Sequence, residues 1–308
     1  MDARVRTENW AGSDAATVRT LVEREMRAYL DELGWDVSGP WAVVDPARRT
    51  GQLPGLLARD PVGRPLGWTA YLALEGHLQV MAIAAADAET TAVLVDGILA
   101  APQVRDCRSV IVCVRDAAAP RLPDTLTSRG FRVEAYRYLV KPLTDADRQQ
   151  VPAAIVQPWN GRRHAMALLC ERAYRDAPGV RAFAPDGTLA QWRAYVDSLI
   201  DGNGCGEFLP HLSRVVAGGV AGRRLLAGAM LSDLGTGTVH LSQLAVDPSI
   251  RRKGLARATV TDALAEASRT FVRASLLVSS SNGAAARLYE SMGFRDHASF
   301  VVAQRYRV

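Results

Sequence analysis

Apolar and polar positions along the chain alternate between helical and extended patterns, and they do so twice over. Residues 14–33 place Val18, Leu21, Val22, Met26, Tyr29 and Leu30 at helical spacing, with Asp14 as a cap and Gly34 as a stop. Residues 35–55 are rich in Trp, Pro and Gly and read as irregular. Extended runs follow at 55–59, 66–72 and 77–84, divided by a turn at 60–65 and by Glu75-Gly76. A helix is expected over 89–99, a buried strand over 109–114, a short helix ending at 126–130 and a strand over 132–140. Residues 146–153, with several charges and Pro152, read as a linker. The pattern then restarts. A strand at 154–157 precedes helices over 162–175 and 188–200, the second capped by Thr188 and closed by Gly202-Asn203-Gly204. A hairpin of 213–217 with 225–231 leads to a strand over 238–246 and a helix over 255–267. The chain ends in a strand at 276–279, a helix from Asn282 to Met292 stopped by Gly293, and a strand over 300–306.

The two programmes are related by one offset, 163 residues. His77-Leu78-Gln79-Val80-Met81-Ala82-Ile83 lies over His240-Leu241-Ser242-Gln243-Leu244-Ala245-Val246, and Gly130-Phe131 lies over Gly293-Phe294. This predicts a duplicated domain, with copies in 1–145 and 154–308.

The copies differ where the chemistry would be. After Val246 the second copy breaks at Asp247-Pro248 and continues as Arg251-Arg252-Lys253-Gly254 into a helix. N–H groups at a helix start have no intrahelical partner, and the helix dipole adds positive charge there, so the stretch is suited to an anion. Neither a G-x-x-x-x-G-K-[ST] nucleotide loop nor a G-x-G-x-x-G dinucleotide motif is present; the form is R-x-x-G-x-A. Downstream of apolar Leu276-Leu277-Val278 comes Asn282 to Phe294, of the form N-x-x-A-x-x-L-Y-x-x-x-G-F. Ala285 and Leu288 share one helix face, with Tyr289 one position round. In this order, the two segments resemble the GNAT superfamily of N-acyltransferases, well over 154–308 and weakly over 1–145. In the first copy Ala88, Glu89, Thr90 and Thr91 stand in place of Arg251 to Gly254, Ala119 in place of Asn282 and Leu126 in place of Tyr289. Glu89 would repel a pyrophosphate. The first copy is therefore expected to keep the fold without the usual CoA loop.

The resemblance implies an α/β (α+β) class with two tandem GNAT-like domains, each a mixed, mostly antiparallel twisted sheet flanked by helices. It implies attack of a neutral amine on the thioester of acetyl-CoA or another acyl-CoA. Arg251, Arg252, Lys253, Gly254, Leu255, Ala256 and Arg257 would hold the pyrophosphate. Leu244, Ala245 and Val246 would line the pantetheine arm, with a strand N–H polarising the thioester carbonyl. Asn282 and Ala285 would meet the CoA arm, and Tyr289 would be the acid toward the thiolate. Many family members carry a glutamate base six residues ahead of the Val position. His240 stands there and is the candidate base; the competing reading is packing between sheet and helix, which His77 in the first copy favours. Glu207, His211, Asp233 or a chain of waters are the other options. The acceptor, a small-molecule amine, would lie over 162–201 and 299–307, where Tyr174, Phe183, Trp192 and Tyr195 occur. A non-catalytic acyl-CoA sensor and a protein or peptide N-acetyltransferase are the alternative readings.

Composition adjusts this picture at three points. The chain of 308 residues is 48% hydrophobic and 22% charged, a globular composition, and no apolar run reaches the roughly 20 residues that span a bilayer. The opening MDARVRTENW lacks the apolar core of a secretory signal, so a cytoplasmic location is expected. Cys107, Cys113, Cys170 and Cys205 show no metal-like spacing and read as reduced thiols. The net charge of +5 is uneven: residues 1–145 hold 17 basic and 19 acidic side chains, and residues 146–308 hold 20 and 13. Basic runs with interleaved aromatics are lacking, so the excess is assigned to a phosphorylated cofactor rather than to nucleic acid. A monomer or homodimer is expected.

Overall fold

A computed structural model describes residues 5–37, 41–150, 153–177, 179, 182–202, 205–218 and 224–307. The chain forms two compact units. Unit one comprises Met1–Asp31, Val37–Tyr136 and Ala298–Val308; unit two comprises Glu32–Asp36 and Arg137–His297.

In chain order the first repeat gives β1 (Arg6–Asn9), α1 (Ala15–Leu33), α2 (Trp41–Arg49), β2 (Gly55–Arg59), β3 (Pro65–Leu74), β4 (His77–Ala85), α3 (Ala88–Ala100), β5 (Ser109–Arg115), α4 (Leu122–Ser128) and β6 (Arg132–Pro142). A short α5 (Asp145–Arg148) follows. The second repeat gives β7 (Gln157–Pro158), α6 (Arg163–Tyr174), α7 (Leu189–Ile200), β8 (Glu207–Phe208), β9 (Arg214–Gly218), β10 (Arg224–Asp233), β11 (Thr238–Val246), α8 (Leu255–Ala267), β12 (Arg273–Ser279), α9 (Gly283–Ser291) and β13 (Arg295–Tyr306).

The sheet of unit one runs β1-β2-β3-β4-β5-β13, and that of unit two runs β7-β9-β10-β11-β12-β6, with β8 on β10. Hairpin neighbours are antiparallel. The pairs β4·β5 and β11·β12 are parallel, and each is bridged by a crossover helix, α3 or α8. Helices cover both faces of each sheet, which explains why strands such as Ser109–Arg115 read as continuous apolar runs. In unit one, Leu94, Val95 and Ile98 of α3 pack on Leu78, Val80 and Val112, while Val18, Leu21 and Val22 of α1 pack with Trp10 and Trp68. In unit two, Val260, Ala263 and Leu264 of α8 face Leu231, Val239 and Leu276, and Met166, Leu169, Trp192 and Val196 of α6 and α7 face Val215 and Met230. Cys107, Cys113, Cys170 and Cys205 form no disulfide.

Three expectations need correction. Residues 35–55 contain α2, with Pro46 inside it. A proline removes a helix hydrogen bond and reads as a breaker. Here tertiary bonds outweigh it: Arg48, 1% exposed, reaches the carbonyls of Trp10, Ala11 and Ser13 and pairs with Asp45. The expected linker is also structured at its start. Thr144 and Asp147 form a capping box on α5, Lys141 pairs with Asp147, and Arg148 donates to the carbonyl of Ser268 at 2.9 Å. Val151 and Pro152 of that linker, and Asn203 and Gly204 of the expected turn, lie outside the described residues.

The third correction concerns the boundaries at 145 and 154, because the units are not the repeats. The last strand of each repeat joins the other unit. Phe300 to Tyr306 of β13 pair antiparallel with Arg115 to Ser109 of β5, and Val301 and Ala303 enter the unit-one core. In unit two β6 lies beside β12, and Leu139 enters that core. Residues Glu32–Asp36 are likewise fixed in unit two. The carbonyls of Glu32 and Leu33 accept from His297 and Tyr138, that of Gly34 accepts from Thr236, and the N–H of Asp36 donates to Leu234 at 2.9 Å. Hydrophobic patterning names a strand but not its neighbour, so an exchange of this kind is invisible to it.

Removing residues 298–308 should therefore strip protection from unit one, not from the repeat to which they belong in sequence. In hydrogen exchange, the amides of Ser109–Arg115 are expected to lose slow exchange in this truncation; unchanged protection there would contradict the pairing.

Candidate functional site

The parallel pair of unit two is short. β11 and β12 are in register only from Thr238·Arg273 to Leu241·Leu276. Beyond Leu241 the strands part. At the same point β11 carries an extra residue: Leu241 faces Leu231 and Gln243 faces Met230, leaving Ser242 as a bulge against β10. Two tyrosines mark the direction of the main chain there. Tyr174 Oη donates to the carbonyl of Leu244 at 2.7 Å, and Tyr195 Oη donates to that of Ser242 at 3.2 Å. These carbonyls therefore point away from β10. A strand residue sends its N–H and C=O to the same edge and its neighbours send theirs to the other, so the N–H groups of Leu244 and Val246 face the gap as well. Asp247 turns back, its N–H bonding Leu226 at 2.8 Å.

The loop beyond β11 ends in a bare helix start. Arg252 and Gly254 have φ of 66° and 80°, and no side chain caps α8. A Cβ at Gly254 would meet open space, so glycine is required there for its left-handed backbone and not for room. Arg251, Arg252, Lys253 and Arg257 are exposed, although the Arg251 guanidinium reaches back to the carbonyl of Ala173 and braces the loop against α6. Asp247 fixes the corner. Its carboxylate takes Arg172 at 2.9 Å, Arg224 at 2.6 Å and the hydroxyl of Ser249 at 2.7 Å. Burial pushes that carboxyl up, but the hydrogen bonds from Arg224, Ser249 and Arg172 outweigh burial and hold it well below the usual carboxylate range. In unit one the equivalent helix start is occupied from within: Asp87 caps α3, accepting from the Thr90 N–H at 2.7 Å.

On the far side of the gap, Asn282 caps α9 by accepting from the Ala285 N–H at 3.2 Å. Tyr289 is buried edge-on to Phe294, 5.9 Å between centroids, with Ala285 against the same cluster. Burial and the neighbouring Tyr174 raise the Tyr289 phenol, so it stays protonated as a donor. In unit one Leu122, Leu126 and Phe131 fill the corresponding space beside Val80, Ile83, Val110 and Val112.

Residues 166–294 match the model of the acetyltransferase (GNAT) family. This stretch, about two fifths of the chain, is similar to that family. Solved structures extend the likeness of fold across both units. A GCN5-related N-acetyltransferase from Sphaerobacter thermophilus superposes with a TM-score of 0.63 at 16% identity, over 99% of this chain and 96% of that one. A tandem GNAT protein from the clavulanic acid biosynthesis pathway gives 0.56 at 14% identity, over 98% of each chain. A GCN5-related glucosamine N-acetyltransferase region of a fungal multi-domain GH3 β-N-acetylglucosaminidase gives 0.64 at 13% identity, over 99% of this chain but 38% of that one. No curated protein matches the sequence. Among the described residues, no helix is long and apolar enough to cross a membrane.

Of the expected donor-side residues, Leu244, Ala285 and Tyr289 share one packed cluster of unit two. Leu244 and Val246 lie on the edge of β11 beyond its pairing with β12, and the loop Arg251 to Arg257 follows that strand into α8. His240 does not join them. It lies in the paired part of β11, 2% exposed, with its ring stacked between Trp35 (5.8 Å) and Tyr138 (6.1 Å). Nδ1 is 2.9 Å from the Ser275 hydroxyl, and Ser275 is its register partner. In unit one His77 and Ser109 repeat this contact at 2.8 Å, also in register. The packing reading is the one these contacts favour. Glu207 and Asp233 pair with each other opposite Val239, at the same closed end of the strand. Asp247, Arg172 and Arg224 were not singled out by motif; the signal was Asp immediately before Pro248, with arginines at distant positions that only the fold brings together.

Burial lowers the His240 pKa to about 4. Between pH 6.5 and 4 the unfolded chain binds a proton that the folded chain refuses, so stability falls as pH falls through this window, by on the order of 3 kcal/mol. His240→Gln should be less stable at pH 7 yet lose less between pH 7 and 4.5. Urea unfolding at both pH values checks this, and equal losses in the two proteins would refute it.

Proposed function

We propose that unit two transfers an acyl group, acetyl in the simplest case, from acyl-CoA to a primary amine of a small molecule. The observation that carries this reading is the uncapped, basic start of α8 placed directly after a strand whose free edge has lost its neighbour. The N–H groups from Arg252 to Arg257 suit a pyrophosphate. Leu244 and Val246 offer main-chain groups to the pantetheine arm, and Asn282 and Ala285 border it. An alkyl ammonium, with a pKa of about 10.4, must lose its proton before attack. As the amine adds, charge develops on the thioester oxygen, where a strand N–H at Leu244 stabilises it. Tyr289 donates to the sulfur as the thiolate departs. His240 takes no part in the proton transfer, and the acidic limb of a pH–rate profile should survive its replacement. Unit one, with Asp87 and Glu89 at its helix start and leucines in its cleft, binds no acyl-CoA.

The tandem layout is similar to that of mycothiol synthase, which acetylates a cysteinyl amine on a thiol sugar, and one structural neighbour is described as a glucosamine N-acetyltransferase region. Both support screening amines on sugars first, beside aminoglycosides, amino acids and peptides. A cytoplasmic monomer or homodimer belongs to this reading.

Isothermal titration with acetyl-CoA should give one site per chain. Reversing Arg252 and Lys253 to Glu should weaken it at least about tenfold, since charge-assisted contacts are replaced by repulsion. Two sites per chain would overturn the assignment of unit one. Tyr289→Phe should lower kcat about tenfold or more while acetyl-CoA affinity stays within about twofold. Release of free thiol with an amine panel measures this. Tight binding of acetyl-CoA with no transfer to any amine would favour the sensor reading instead.

A further inference from the structure

The parting of β11 and β12 leaves main-chain donors and acceptors along one edge, and the acceptors nearest the bulge have partners. The Leu244 carbonyl takes the Tyr174 hydroxyl at 2.7 Å, and the Ser242 carbonyl takes the Tyr195 hydroxyl at 3.2 Å. The Tyr174 hydroxyl is itself oriented, because it accepts from Gln243 Nε2 at 2.7 Å and so has its proton left for the carbonyl. The rings are held by stacking, Tyr174 on Trp192 at 5.1 Å and Tyr195 on Phe183 at 5.0 Å. We propose that Tyr174 and Tyr195 are positioning residues that set the polarity of the cleft. By occupying the carbonyls of Leu244 and Ser242, they leave the Leu244 N–H as the main-chain group on offer beside the bulge, so that the group seated there is an acceptor: the carbonyl oxygen of a thioester.

This rests on the acyl-CoA reading of the same cleft and goes beyond it. Neither tyrosine needs to touch the reacting atoms. A bare Leu244 carbonyl would face the thioester oxygen with like partial charge, and it would oppose the oxyanion most strongly as that charge grows. Burial raises the Tyr174 phenol, which keeps it a donor across the working pH range.

The test needs no knowledge of the acceptor amine. Acetyl-CoA and CoA differ only in the acetyl group, so the ratio of their affinities reads the environment of that carbonyl. Tyr174→Phe keeps the stacked ring and removes the hydroxyl. The ratio should fall about three- to tenfold, the range of a single neutral hydrogen bond, with CoA affinity unchanged. Tyr195→Phe should act in the same direction and more weakly, as should Gln243→Met, which releases the Tyr174 hydroxyl and removes the 3.3 Å bond from Gln243 Nε2 to the Leu244 carbonyl. With acetyl-CoA carrying carbon-13 at the carbonyl, the bound carbonyl stretch should lie at higher frequency in Tyr174→Phe than in the unaltered protein. Equal losses of acetyl-CoA and CoA, an unmoved ratio in all three variants, or tighter acetyl-CoA binding by Tyr174→Phe would each overturn the proposal. Failure of the unaltered protein to bind either ligand would instead sink the acyl-CoA reading and this inference with it.

Discussion

Two parallel strands that hold together for four residue pairs and then separate impose the rest of unit two. A sheet opened in its middle leaves peptide groups that no neighbouring strand completes, and such groups are costly to bury unmatched. The surrounding elements answer this at each level. The bulge at Ser242 turns the strand, hydroxyls from α6 and α7 stand in for the missing neighbour, and the corner at Asp247 carries the chain into a helix whose first N–H groups are left bare. Small Ala285 and buried Tyr289 shape the opposite wall.

Unit one shows the same architecture with the opening closed. Its parallel pairing continues to Val80, two residues further than the equivalent Leu241 allows, and its bulge is at Met81, two residues beyond the position equivalent to Ser242. Leucines replace the small residue and the tyrosine of the other wall, and a carboxylate from the chain itself takes the helix start. The fold is indifferent to whether the space holds a ligand or side chains. The His–Ser pair recurs in both units because it belongs to the closed end of the strands, which both units share.

The order of elements was readable from the sequence wherever one local rule governed them. The strand Thr238–Val246, the Thr188 cap and the α9 cap at Asn282 fall where spacing and capping chemistry place them. The gap between β11 and β12 was legible indirectly, through the resemblance carried by Arg251–Ala256 and Asn282–Phe294. What could not be read depended on partners far away in the chain. Helix α2 forms around Pro46 because Arg48 finds carbonyls nearly forty residues upstream. His240 looked like a base because it stands where a base would be in sequence; the Trp35 that covers it comes from a segment some two hundred residues earlier. Tyr174 and Tyr195 were legible as residues near the cleft but not as partners of particular carbonyls.

The exchange of final strands has a consequence for biosynthesis. Strand β5 is made early, yet its partner at Phe300–Tyr306 emerges from the ribosome almost two hundred residues later. Until then unit one presents an apolar strand with an open edge, the kind of surface that pairs with other chains. Contacts so distant in sequence are slow to close. Unit one waits for a strand encoded at the end of the second repeat, whereas the strand that unit two borrows, β6, precedes the rest of that unit. The order of completion is thus the reverse of the order of synthesis: a chain interrupted just before β13 would hold every strand of unit two and leave the earlier-made unit one incomplete.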